Sequence, residues 1–455
     1  MQQEQKYREA LEWIHGLERF GIKPGLERVE AMLELLGNPH QGTRFIHVAG
    51  TNGKGSTAAM LASILRAAGY SVGLYTSPYL LSFTNRMAVN NTDIDHGELV
   101  GLVERIKPIV KQLQNDSELG HPTEFEVVTV LALAYFALSE VDLVVLEVGL
   151  GGRLDATNIV TPLISIITNI SLEHTDVLGS TIEEIAFEKA GIIKQGKPLI
   201  TAAEDQRALG VFEKRCQDLD CLYYRVLPPR EVGEQPVNQR PFSMIKKITE
   251  DGQFFDYYGF KSEQPDLFIS LRGKYQLLNA ATALAAVELL EEDGFTVSRA
   301  AILKGLAETS WPGRLELLQK EPLVIMDGAH NPAAMEKLAE AVPLYFEYKH
   351  LVLVIGMLAD KDTAAMLKYI LPLSDSVVFT RPLLPRAADP QTIADFALNH
   401  FKLVKDYYVI EEHQEALEKA FELAEPEDAI LVTGSLYTVS DIRAYYLISK
   451  ESEQV

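Results

Sequence analysis

Cysteine, tryptophan and positive charge are all scarce in this 455-residue chain. Its two cysteines, Cys216 and Cys221, are too few for a disulfide framework, and their spacing fits no metal-binding knuckle. Lysine and arginine number 42 against 64 aspartates and glutamates, a formal net charge of −22. Nucleic acids and anionic membranes are bound by clustered basic residues, so neither is expected as the main partner. A locally basic pocket for a small anion remains compatible with that balance. Long hydrophobic runs are missing too. The longest, near 127–138, stops at Ser139-Glu140 and is too short to cross a bilayer. The start, MQQEQKYREALEW, lacks the charged-then-apolar order of a secretion signal. These absences leave the cytoplasm as the expected compartment; a monomer is the default expectation.

What the chain does have is alternation. Its length suits two or three domains at about 150 residues each. Apolar runs at 45–49, 143–148 and 163–168 read as buried parallel strands, and 56–68, 95–113 and 126–138 between them read as helices. Such alternation implies a doubly wound, mostly parallel α/β sheet. Residues 220–272 differ: charged, rich in tyrosine, phenylalanine and proline, with short alternating pieces such as FFDYYGF. They read as a small β subdomain. Helical pattern returns at 276–292. After Trp311-Pro312-Gly313 a second alternating set begins, with strands at 323–326, 351–355, 376–379 and 429–432 and a helix at 333–341. The expectation is an N-terminal α/β domain over 1–310, including the β-rich segment, and a second, Rossmann-like α/β domain over 311–455.

Residues 47–57, HVAGTNGKGST, join a strand to a helix through three glycines and a lysine. That context lets backbone N–H groups and a helix N-terminus surround a phosphate. Lys54 would reach the β and γ phosphates, and Ser56 or Thr57 would bind Mg²⁺. The common G-x-x-x-x-G-K-[ST] pattern is not met, because Val48 stands at its first glycine and Gly55 follows the lysine. The bland alternative is a flexible turn with a solvated lysine.

The variant G-T-N-G-K-G-S resembles the phosphate loop of the Mur ligase superfamily. LEVGLGGRLDATN (146–158), SLEHTDVLG (171–179), FEKAGIIK (187–194), QLLNAATALAA (276–286), WPGRLE (311–316), DGAHNP (327–332), GMLADKD (356–362) and TGSLYTVS (433–440) resemble, in order, the folylpolyglutamate synthase/dihydrofolate synthase family. GIKPGLERV (21–29) is similar to its pterin-side segment. The resemblance implies an ATP-dependent amide ligase that adds L-glutamate to the γ-carboxylate of folates. The route would be an acyl phosphate, with ADP and phosphate released. Lys23 stands where the bifunctional members carry an acidic residue, so action on dihydropteroate is left open, as is a need for K⁺. A cell-wall precursor ligase, a P-loop kinase or regulatory NTPase, and a non-catalytic nucleotide-binding module are the rival readings. The DATN and DGAHNP wording, the second α/β set and the WPGR junction speak against them.

The resemblance also assigns residues. ATP would lie on Gly50, Thr51, Asn52, Gly53, Lys54, Gly55 and Ser56, with Asn279, Arg314 and Asp327. Glu147 ends an apolar strand, where α/β sheets place ligands, and a carboxylate there suits Mg²⁺. Glu147 is implied as a Mg²⁺ ligand with Ser56, Ser77 as a further metal-side position, and His174 with a carbamylated Lys189 for a second Mg²⁺. Without the resemblance, His174 reads as a packing histidine and Lys189 as a snorkelling lysine. Lys54, Lys189, His174 and Arg314 would carry the chemistry, Arg314 acting as an arginine finger acts. Thr123, Phe125, Leu154, Asp155 and Ala156 are implied on the folate side, and His330 and Ser435 for the incoming glutamate.

Overall fold

The computed structural model describes residues 2–17, 24–234, 241–401 and 406–453, with side chains as far as 450. Lys23, on which the dihydropteroate question turned, lies outside them. Two compact units emerge: Met1–Lys246, Phe254–Phe268 and Leu277–Thr309 form one, and Lys247–Gln253, Ile269–Gln276 and Ser310–Val455 form the other.

The first unit is built on a sheet whose strands run, edge to edge, Thr92–Asp93, Met87–Val89, Val72–Tyr75, Leu143–Glu147, Phe45–Ala49, Ile164–Ile167, Leu199–Thr201 and Tyr223–Arg225. All neighbours are parallel except the first two pairings. Phe45–Ala49 is central and wholly buried, an apolar run broken only by His47, as a strand with helices on both faces requires. Val48 pairs with Glu147 and Ala49 with Ile167, so three strand ends meet around the glycine loop. The helix after that loop is Lys54–Ala67, two residues earlier than its apolar pattern suggests. Gly53, at φ 84°, makes the turn, and Thr57 N donates to Gly53 O at 2.9 Å to close the first helical bond. Glu124–Leu138 also starts early, because Thr123 and Glu126 form a reciprocal capping box.

The β-rich segment forms a small sheet of Glu263–Ile269, Gly252–Tyr258, Phe242–Thr249 and Arg230–Glu231 in that order. Residues 247–253 and 269–276 group with the second unit, not with the first as the sequence reading placed them. The reason lies in their side chains. Lys320 pairs with Glu250 at 3.1 Å, Arg272 Nη1 donates to Leu315 O at 3.2 Å, and the Arg272 guanidinium lies over Phe346.

The second unit has the strand order Glu316–Lys320, Leu323–Met326, Ala429–Thr433, Leu351–Gly356, Ser376–Thr380 and Asp406–Val409, parallel but for the first pair. The two outermost strands carry polar, half-exposed residues. That is why no apolar run announced them. Among the described residues no helix is long and apolar enough to cross a membrane.

Candidate active site

The glycine loop is fastened by the chain segment that follows Ile164–Ile167. Asn169 O accepts from Thr51 N and Asn169 Oδ1 from Asn52 N, both at 2.9 Å. Thr168 Oγ1 donates to Asn52 O at 2.7 Å, and Ser171 N donates to Thr51 Oγ1 at 3.1 Å. Two glycines are obligatory here. A Cβ on Gly50 would lie 1.9 Å from Thr168 Oγ1, and one on Gly53 would lie 2.5 Å from Asn279 Oδ1. Asn279, assigned to the nucleotide by resemblance, therefore does sit against the loop, on the helix Tyr275–Leu290. Thr168 and Asn169 were not foreseen, since nothing in their local sequence marks them as loop fasteners.

Two lysines converge on one carbonyl. Lys54 Nζ donates to Gly50 O and to Thr51 O, each at 3.1 Å, and Lys189 Nζ donates to Gly50 O at 2.9 Å. Lys189 is on Ile182–Ala190 and is buried, with 5% of its surface exposed. It does not snorkel. Burial, reinforced by the Lys54 charge, pulls its pKa down to about 7, against the raising influence of Glu173 and Asp155. His174 is exposed, at φ 51°, and precedes the short helix Thr175–Leu178. Its neighbour Glu173, absent from the sequence reading, acts electrostatically on Lys189.

Glu147 is buried, and its Oε2 accepts from Ser77 N at 3.2 Å. The Ser77 hydroxyl is buried with no hydrogen-bond partner among the described residues, and so is that of Thr57. Ser56, next in line, is buried as well. Among the described residues no group of three or more His, Cys, Asp or Glu could hold a metal ion. A donor set of one carboxylate and several hydroxyls suits Mg²⁺, which takes few protein oxygens and keeps waters or phosphate oxygens.

Thr123 Oγ1 caps Glu124–Leu138, and Glu126 in turn accepts from Thr123 N and Thr123 Oγ1 at 2.7 and 3.0 Å. Glu126 also takes Arg28 in a buried ion pair at 2.7 Å, anchoring the GLERV part of the amino-terminal segment. Phe125 covers Gly149, where a Cβ would come 2.3 Å from its Cζ. Asp155, 6% exposed, receives Leu150 N at 2.8 Å and Thr157 N and Oγ1 at 3.0 and 2.5 Å. Burial raises its carboxyl, and those donors oppose the rise. Leu154 is half-buried and Ala156 buried beside it.

In the second unit Asp327 follows Leu323–Met326. Its two oxygens accept from Leu315 N and Ala329 N, each at 2.8 Å. Burial raises its carboxyl, with the Arg314 charge the chief opposing influence. His330 Nδ1 lies 2.8 Å from Gly328 O. Ser435 is buried, and its hydroxyl accepts from Thr438 N at 3.0 Å at the start of Leu436–Glu453.

Residues 48–287 match the model of the Mur ligase middle domain, and 313–436 that of the Mur ligase glutamate ligase domain. Dihydrofolate synthase/folylpolyglutamate synthase of Bacillus subtilis (strain 168) is 38% identical over 439 residues, which cover 96% of this chain and 98% of that protein. The crystal structure of folylpolyglutamate synthase from Thermotoga maritima is similar over 97% of each chain, at 37% identity and a TM-score of 0.81. Mycobacterium tuberculosis folylpolyglutamate synthase complexed with ADP matches over 97% of this chain and 99% of its own, at 32% identity and a TM-score of 0.87. With the glycine loop and the second α/β unit, these matches define the class: an ATP-dependent ligase of the Mur type. Within that class the chain belongs to the folylpolyglutamate synthase/dihydrofolate synthase family.

Proposed function

We propose that the chain joins L-glutamate to the γ-carboxylate of folates, forming an acyl phosphate from ATP and releasing ADP and phosphate. Attack of a carboxylate on the γ-phosphorus brings two anions together, so the site must supply cations and alignment. The observation that carries the reading is the meeting of Lys54 and Lys189 at Gly50 O, beside strand ends that also bring in Glu147. Lys54 leaves its two carbonyls to bind phosphate oxygens, and backbone N–H groups of Gly53, Lys54, Gly55 and Ser56 cradle them, those of Thr51 and Asn52 being held by Asn169. Arg314 adds charge to the transferring phosphoryl group.

Ser56, Thr57, Ser77 and Glu147 would hold one Mg²⁺, and His174 with Lys189 a second. When bound, the ions neutralise phosphate charge. Lys189 fits this only as a carbamate, because an ammonium would repel a cation. A buried lysine whose pKa is near 7 supplies the neutral amine that reacts with CO₂. On the folate side, Phe125 offers a ring face and Asp155 an acceptor for a flat, N–H-rich pterin, with Thr123, Leu154 and Ala156 around them. His330 and Ser435 seat the glutamate. Dihydropteroate is a second acceptor, favoured by the double name of the Bacillus subtilis relative.

The test is ADP release with ATP, Mg²⁺, glutamate and either tetrahydrofolate or dihydropteroate, with K⁺ exchanged for Na⁺ in parallel. ADP formation that needs both glutamate and a folate supports the reading. Release that proceeds without either of them refutes it.

A further inference from the structure

Asp155 ends a buried hydrogen-bonded chain that starts on the strand feeding the glycine loop. His47 is the middle residue of Phe45–Ala49, fully buried between Leu146 and Ser165 of the neighbouring strands. Its Nε2 lies 2.8 Å from Thr157 Oγ1, which lies 2.5 Å from Asp155 Oδ1. A hydroxyl has one proton to give, so the chain has two possible proton orders. If Nε2 carries the imidazole proton, it donates to Thr157, and Thr157 donates to an ionised Asp155. If Nδ1 carries it, Thr157 donates to Nε2, and Asp155 needs a proton of its own.

The surroundings favour the first order. His47 Nδ1 is buried without a partner among the described residues, and an orphaned N–H is rarer than an under-used lone pair. Leu150 N and Thr157 N also both point at the Asp155 carboxylate, where their donation favours the charged form and opposes the rise that burial causes. Burial, with the Lys194 charge second, holds the imidazole pKa down to about 3, so the ring is neutral and can serve as a single donor.

We infer that His47 is a positioning residue for folate recognition, whose donation to Thr157 Oγ1 fixes the hydroxyl that donates to Asp155 and so sets the carboxylate as an acceptor for the N–H groups of a pterin. The inference rests on the folate reading above and ties the nucleotide strand to the 149–158 loop. His47→Leu removes the donor, whereas His47→Gln keeps an Nε2 amide at similar reach. Thr157→Val and Thr157→Ser form the matching pair.

His47→Leu and Thr157→Val should raise KM for tetrahydrofolate about tenfold, the effect of one buried hydrogen bond, with KM for ATP within about twofold of wild type. Gln and Ser should restore folate KM to within about threefold of wild type. The inference is overturned if KM for ATP and folate rise together, or if Gln is as impaired as Leu. Thermal melts verify folding, and the Thr157 pair decides alone if His47→Leu does not fold. A wild type without folate-dependent ADP release overturns the functional reading and the inference with it. A competent wild type whose Leu and Val variants match it overturns the inference alone.

Discussion

Lys189 in the first unit and Asp327 in the second are both shut away from solvent, each among loops that follow parallel strands, and the fold treats them differently. Asp327 gives each carboxylate oxygen an N–H donor, from Leu315 and from Ala329, and has the Arg314 charge to oppose its burial. Lys189 has three N–H groups to satisfy and one acceptor among the described residues, Gly50 O, which Lys54 shares. A buried charge with matched partners is scaffold. A buried ammonium with one acceptor and a like-charged neighbour is pushed toward the free amine, the form that can react.

The largest effects should come from breaking the frustrated partner of this pair. Lys189→Ala should be nearly inactive, and acetate or formate should partly restore it by occupying the vacated anionic position. Lys189→Arg should be equally inactive, since arginine stays charged and forms no carbamate. An active Lys189→Arg enzyme would make Lys189 a plain cation and dissolve the contrast with Asp327.

Next is Lys54→Ala, which should cost roughly 3 kcal/mol or more of transition-state stabilisation, by analogy with removing one preorganised donor. Near wild-type turnover would refute the phosphate-loop reading. The same variant sharpens the comparison through pH. A neighbouring cation lowers a lysine pKa, so removing Lys54 should raise that of Lys189 from about 7. Activity that depends on the neutral amine is lost as pH falls through that pKa. The acid limb of the pH–rate profile in bicarbonate buffer should therefore move to higher pH in Lys54→Ala. An unmoved limb would show that the two lysines are not coupled.

How much of this was legible in the sequence follows from the range of each interaction. Phe45–Ala49 and the strands beside it announce themselves as apolar runs, and the glycine loop as a motif between a strand and a helix. Glu316–Lys320 and Asp406–Val409 do not, because edge strands need no continuous apolar face. The Arg28–Glu126 pair spans 98 residues of chain, and Asn279 meets Gly53 from a helix more than two hundred residues on. Pairings of that range leave no local periodicity. The capping box Thr123-x-x-Glu126 was readable, and would have placed the helix start correctly. It would also have shown that the Thr123 hydroxyl is committed to the backbone. For Lys189 the motif supplied the position, but burial, which decides its chemistry, belongs to the tertiary structure.

Asp327→Asn tests the scaffold side and should act on stability. An amide nitrogen would face one of the two N–H donors now satisfied, at a cost of about 1–3 kcal/mol. Thermal melting should show the loss. Lys189→Met, which removes the buried amine while keeping an unbranched side chain one atom shorter, should melt close to wild type. If Lys189→Met were the less stable of the two, the division into scaffold and reactive charge would be wrong.

The smallest effects separate two residues that the sequence grouped together. The His330 imidazole holds Gly328 O through Nδ1, which must carry the proton because a carbonyl only accepts. His330→Ala should raise KM for glutamate while leaving KM for ATP near wild type, the mark of lost uniform binding of one substrate. Ser435 is already engaged: its hydroxyl accepts from Thr438 N, lies 2.8 Å from Thr438 Oγ1, and Thr438 Oγ1 donates on to Gly356 O at 2.9 Å. That is a helix cap, and Ser435→Ala should cost about 1 kcal/mol of stability. Glutamate KM should rise less than in His330→Ala, since the cap holds the TGSLYTVS loop in shape whether or not the hydroxyl also touches substrate. A Ser435→Ala protein that melts like wild type but has lost glutamate affinity would mean that the hydroxyl serves the ligand and that the cap is incidental.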